Sequence, residues 1–167
     1  MDRIGNMIIE PLPSMVYPVG FFDGATRLQM GGCGFRLLVD SQHSFNCWMG
    51  IDCNTNNLSK LVAVWACLYW AQQLNIRDIQ IFNDSRVIID WINWKSEIHS
   101  IHLHHWCLRI RKLLKFFTNT NFCHVYRELN QEADDLSKRG LGGQTGLLTV
   151  EEMMGPIVIK IARCQLF

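Results

Sequence analysis

The chain has almost no net charge, with 16 lysines and arginines against 15 aspartates and glutamates and a formal balance of +1 at pH 7. That excludes the global positive field of a strong nucleic-acid binder, so any anion-binding face must be local. No apolar run is long enough to cross a bilayer; Leu61 to Ala71 is too short and reads as a core helix. Met1 to Ser14 mixes charges and prolines without a long apolar stretch, which reads as neither a secretory signal nor an anchor. Cys-x-x-Cys pairs are also missing. The seven cysteines, at 33, 47, 53, 67, 107, 123 and 164, are odd in number and scattered over predicted strands and helices. They read as reduced core residues of an intracellular protein, cytoplasmic or nuclear. The chain shows no internal repeat and no low-complexity segment. What is present suffices for one compact domain, since 167 residues of which 49% are hydrophobic can build a sizeable core.

Three acids stand where elements begin or end. Phe122 to Arg127 is rich in aromatic and β-branched residues, Asn130 sits where a helix cap belongs, and Ala133, Leu136 and Ser137 form a stripe at helical spacing. Asp134 therefore projects from a helix start. Val19 to Asp23 is an apolar strand ending in an acid and followed by the turn-prone Gly24-Ala-Thr26. A third strand, Ile79 to Asn83, stops at Asp84 before a new stripe of Val87, Ile88, Trp91 and Ile92. Taken singly, each acid reads as a turn or helix cap; their joint placement points to a metal-dependent nucleic-acid site.

These motifs resemble the type-1 ribonuclease H domain, most closely the version in plant retroelement reverse transcriptases and their stand-alone relatives. Phe21-Phe-Asp-Gly-Ala25 is similar to the family's first strand, Gly31 to Asp40 to its glycine-started second strand, and Asn83-Asp-Ser85 to its central acid. Arg127-Glu-Leu-Asn130 with Ala133, Asp134 and Leu136 resembles the last motif, so the likeness covers roughly residues 17 to 140. The resemblance implies an α/β fold with a five-stranded mixed sheet flanked by helices, in which the first and fourth strands lie side by side. It implies an RNA–DNA hybrid endoribonuclease using Mg²⁺ or Mn²⁺, with Asp23, Asp84 and Asp134 as catalytic and metal-binding residues. Asn56, Asn57, Arg127 and Asn130 become expected nucleic-acid contacts. In that mechanism two ions roughly 3.5–4 Å apart activate water and stabilise the leaving oxygen.

One position departs. The family places a metal-binding Glu after a pair of asparagines, and this chain reads Asn56-Asn57-Leu58-Ser59-Lys60. The stripe of Leu61, Val62, Trp65, Leu68 and Tyr69 fixes the alignment of the helix, so lysine replaces the carboxylate. At an effective dielectric near 20, a cation about 4 Å from a divalent ion is repelled by roughly 8 kcal/mol, an upper bound because the long side chain can swing away. Asp52 is either a substitute ligand or a solvated turn residue. The connection from Arg127 to Asn130 is short and lacks the histidine that many ribonucleases H carry there; His124 reads as an ordinary strand histidine.

A helix over 101–117 is expected, with Leu103, Trp106, Ile110, Leu113, Leu114 and Phe117 toward the core and Arg109, Arg111, Lys112 and Lys115 exposed. That basic face is either a phosphate contact, with Arg109 and Lys112 as its candidates, or a solvated surface. Trp91, Trp94 and the histidines at 99, 102, 104 and 105 surround the preceding connection without convincing zinc spacing. A phosphatase of the haloacid dehalogenase kind is discarded, because Phe21 stands where its nucleophilic Asp belongs. The organisation expected is an extension over 1–15, the domain over 16–140 and a tail over 141–167, whose Ile157 to Ile161 either packs on a sheet edge or is a disordered remnant. Three functions stay open: a hybrid nuclease with a weakened Mg²⁺ site, an inactive retroelement-derived domain that binds RNA or hybrid, and a protein-interaction scaffold. None needs a membrane.

Overall fold

Alternation of residue size along the strands decides how this chain layers. In the computed structural model, which describes residues 15–52, 55–94, 98 and 100–167, β1 (Val19–Arg27), β2 (Met30–Leu38) and β3 (His43–Ile51) form an antiparallel meander. The extension up to residue 14, Cys53 and His99 lie outside the described residues. On β2 the side chains of Cys33, Phe35 and Leu37 are buried in the main core, while Gly32 and Gly34 fall on the opposite face. There α4 (Gln131–Arg139) lies so close that a methyl group on Gly34 would stand 2.2 Å from the Ser137 nitrogen. Only glycine allows this backbone-to-backbone approach.

The main-core face is covered by α1 (Asn56–Gln73), which is apolar nearly all round because it is wedged between the sheet and α3 (Ile101–Leu114). Each of the longer helices on this side starts on a hydroxyl cap: Thr55 accepts from the Leu58 nitrogen and Ser100 from the Leu103 nitrogen. Between them β4 (Asp78–Asn83) pairs parallel with β1, and α2 (Arg86–Ile92) begins on a Ser85 cap. Next, β5 (Asn119–His124) pairs parallel with β4, and a single 3-10 turn (Arg127–Leu129) leads into α4.

The sheet has seven strands in the order β5-β4-β1-β2-β3-β6-β7, not the expected five. Both additional strands come from the tail. Leu147–Met154 forms β6 against β3, and Ile157–Gln165 forms β7 against β6, joined by a Gly155-Pro156 hairpin turn. Leu148 and Val150 complete the core over Cys47 and Met49, so the tail packs on the sheet edge and is no disordered remnant. The α3 helix stops at Leu114, three residues short of expectation, although Phe117 is still buried beyond it. The cysteines among the described residues are free thiols, four buried and two partly so, and burial raises the thiol of Cys107 to about 11. Among the described residues no helix is long and apolar enough to cross a membrane.

Candidate active site

Parallel pairing of β1 with β4 runs from Val19↔Gln80 to Phe21↔Phe82, so Asp23 and Asp84 both lie two residues beyond its end; Asp84 follows β4, whereas Asp23 is in mid-strand, because β1 continues to Arg27 through the expected turn, paired with β2. Asn130, at the start of α4, completes the group. Its buried amide donates to the Phe22 carbonyl at 3.0 Å and to Asp84 Oδ1 at 3.1 Å, while Asn83 donates to the same Phe22 carbonyl. The cap expected of Asn130 is therefore not made; the amide instead ties the helix to the middle of β1 and to the residue that follows β4. Asp134 sits one turn into α4, and its charge and that of Asp84 both act on Asp23. The three acids that the sequence singled out converge.

Lys60 joins them. A methyl group on Gly24 would stand 2.4 Å from the Lys60 nitrogen and 2.5 Å from Ser59, so β1 and α1 touch backbone to backbone at this point. That contact fixes the register of α1 and brings Lys60 Nζ to 3.8 Å from Asp23 Oδ1. The position where the resemblance puts a fourth carboxylate is thus an ammonium inside the acid group. Burial pushes the Asp23 carboxyl up to about 7, against the opposing pull of the Gly24 N–H and Lys60, with Asp84 and Asp134 adding to the rise.

Each of the other acids has its own cation. Arg127 Nε lies 3.7 Å from Asp84 Oδ2, and Lys138 Nζ lies 3.0 Å from Asp134 Oδ2, one helical turn along. Gln131 adds a donor to Asp134 at 3.3 Å. Lys138 and Gln131 were missed by sequence reasoning, although the i,i+4 spacing of Asp134 and Lys138 was a visible signal. A pair of divalent ions requires carboxylate in excess of local cation, and here the acids and cations stand one to one. Among the described residues no three His, Cys, Asp or Glu side chains are grouped to hold an ion. The donor set does not fit two divalent ions. Asp52 is exposed just past β3 and is not among the groups acting on Asp23.

The expected nucleic-acid contacts divide. Asn56 accepts from Thr26 Oγ1 at 2.7 Å and Asn57 is half-buried beside it, both at the α1 start that faces the acid end of β1. Arg127 is almost fully exposed. The basic face of α3 is smaller than expected: Arg109 is half-buried and stacks on Trp65 and Trp106 at 4.9 and 4.2 Å. Arg111 lies over Trp94 and donates to the Trp91 carbonyl at 2.9 Å. Only Lys112 and Lys115 of the four are exposed. His124 meets Arg86 and the Tyr126 ring.

Residues 21–140 match the family described as reverse transcriptase-like. Ribonuclease H1 from the halophilic archaeon Halobacterium salinarum superposes with a TM-score of 0.67 at 25% identity, covering 74% of this chain and 96% of that one. LC11-RNase H1, solved in complex with an RNA/DNA hybrid, gives a TM-score of 0.68 at 19% identity over 74% of this chain and 95% of its own. The N-terminal ribonuclease H domain of a Mycobacterium tuberculosis protein gives 0.60 at 19%, covering 74% and 93%. No curated protein matches significantly in sequence.

Proposed function

The chain belongs to the reverse transcriptase-like family and has the ribonuclease H fold, and from that premise we propose that it binds RNA–DNA hybrid or RNA with its hydrolytic centre disabled by Lys60. The observation that carries this reading is the half-buried ammonium 3.8 Å from Asp23, beside the acid that would be central to metal binding. Hybrid binding is supported by the likeness to LC11-RNase H1, which was solved on such a duplex. A-form-like geometry and 2′-hydroxyls are the features a protein can read there without base sequence. Asn56, Asn57 and Arg127 border the acids and supply donors for sugar and phosphate. Lys112 is the remaining basic candidate on α3, and Arg109 leaves the set because it packs between two indoles.

A second reading is favoured by the surviving acids. Asp134 keeps a part-exposed side chain and Asp84 keeps its amide partner, so a slow Mg²⁺- or Mn²⁺-dependent nuclease using Asp23, Asp84 and Asp134 remains the competitor. The deciding experiment is cleavage of a labelled RNA–DNA hybrid in Mg²⁺ and in Mn²⁺ by the native chain and by Asp84→Asn, with binding recorded on the same duplex. Binding without cleavage in either protein is the expected result. Cleavage by the native chain that disappears in Asp84→Asn would establish the nuclease. Absence of both would leave the fold as a protein-interaction scaffold.

A further inference from the structure

Exchange of a carboxylate for an ammonium changes the local charge by two units, which is the charge of one divalent ion. At this site the exchange is not diluted by solvent or by a displaced backbone. Lys60 is held in register by the Gly24 contact, its side chain is only 19% exposed, and the Asp23 side chain facing it is 7% exposed. Arg127 and Lys138 already stand against Asp84 and Asp134, so with Lys60 in place each acid has one protein cation. A Glu at position 60 would leave four acids against two cations and require an ion from solution. The protein carries its counter-charge covalently instead.

Resting on the nucleic-acid reading above, we propose that Lys60 acts as a tethered cation in place of a divalent ion. It stands against Asp23 in the free protein and lends a donor to a backbone phosphate oxygen when a strand lies across the acids. An ammonium has three donors, and the 3.8 Å separation from Asp23 is a loose pair that a phosphate oxygen can enter. The compact, strongly hydrated Lys charge suits a point contact to phosphate. Nucleic-acid engagement at this centre is then independent of divalent metal, the reverse of what a four-acid centre requires.

The test measures binding of a fluorescent RNA–DNA hybrid by the native chain, Lys60→Gln and Lys60→Glu, in Mg²⁺ and in EDTA at matched ionic strength. The native Kd is expected to agree between the two buffers to within about twofold. Lys60→Gln should bind more weakly in both, with the slope of log K against log salt shallower by about 0.9, the mark of one lost phosphate contact. Lys60→Glu should bind only when the divalent ion is present. A native chain that needs Mg²⁺ to bind, or a Lys60→Gln variant with native affinity and salt slope, overturns the proposal. The nucleic-acid reading is separated from it by thermal melts without any duplex. There Mg²⁺ should leave the native melting temperature unmoved and raise that of Lys60→Glu by about 2–4 °C. Equal Mg²⁺ shifts in both proteins would refute the replacement of the ion. Failure of the native chain to bind hybrid in either buffer would instead refute the functional reading, and the phosphate contact with it.

Discussion

Asp23 is buried at a cost that its partners offset only in part. Its carboxyl keeps a proton up to about pH 7 in the folded protein, whereas an unfolded chain releases it near the ordinary value of 3.8. Between those values the folded state binds more protons, so this residue makes stability fall as pH rises from about 4 to about 7 and then level off. The difference between the two states corresponds to about 4 kcal/mol. Asp23→Asn should remove that slope and leave the variant more stable than the native chain at pH 8, as urea unfolding at pH 4.5, 6 and 8 would report. A native profile with the same slope as the variant would place the titration elsewhere. At this scale Lys60 and the three acids were legible by local spacing, from the paired asparagines, the end of β4 and the start of α4, although the strand bearing Asp23 continues past it. Asn130 was legible only as to place: the same amide serves as a helix cap or as a tertiary donor, and its partner Phe22 is 108 residues away. Arg109 was misread for the same reason, since nothing near it in sequence announces Trp65.

Among the elements, the β1–β2 hairpin carries an avoidable strain. Arg27 pairs with Met30 across a two-residue loop in which Leu28 and Gln29 both adopt positive φ, 51° and 67°. That geometry suits the right-handed twist of the strands but favours Asn-Gly, and Leu28 is also 86% exposed. Replacing Leu28-Gln29 by Asn-Gly should stabilise the protein by roughly 1 kcal/mol, measurable as a higher urea midpoint at unchanged slope. A lower midpoint would show that the loop side chains contribute contacts of their own. Strands β1, β2 and β4 and helices α1 to α4 were readable from two- and 3.6-residue periodicity, although β1 runs on to Arg27 through the Gly24-Ala-Thr26 that was expected to turn. The end of α3 was not, because Phe116 and Phe117 continue the apolar pattern while the backbone has turned. Strand β6 escaped notice because Glu151 and Glu152 interrupt its apolar run; both belong to the strand and are only partly buried.

As a whole the molecule depends on its last strands more than the order of its motifs suggests. Without β6 the inner strand β3 would become an edge, with its ladder groups and the core around Cys47 and Met49 opened to water. A chain ending at residue 146 should therefore lose its cooperative melt and scatter light at concentrations where the full chain does not. An unchanged melting transition would show that the five-stranded unit stands alone. The sheet's outer boundary is β7, where Ile157, Ile159 and Ile161 are more than half exposed. Its length could not be read in advance, because edge strands lack the buried face that makes alternation visible.

The contact of Gly24 with the backbone of Ser59 and Lys60 also bears on heredity. It seats the helix without help from the side chain at position 60, so whatever residue stands there is aimed at Asp23 by the same scaffold. Lysine and glutamate codons are neighbours through one purine exchange. The difference between a site that carries its own charge and one that must recruit an ion is therefore a single mutational step, and no refolding separates the two.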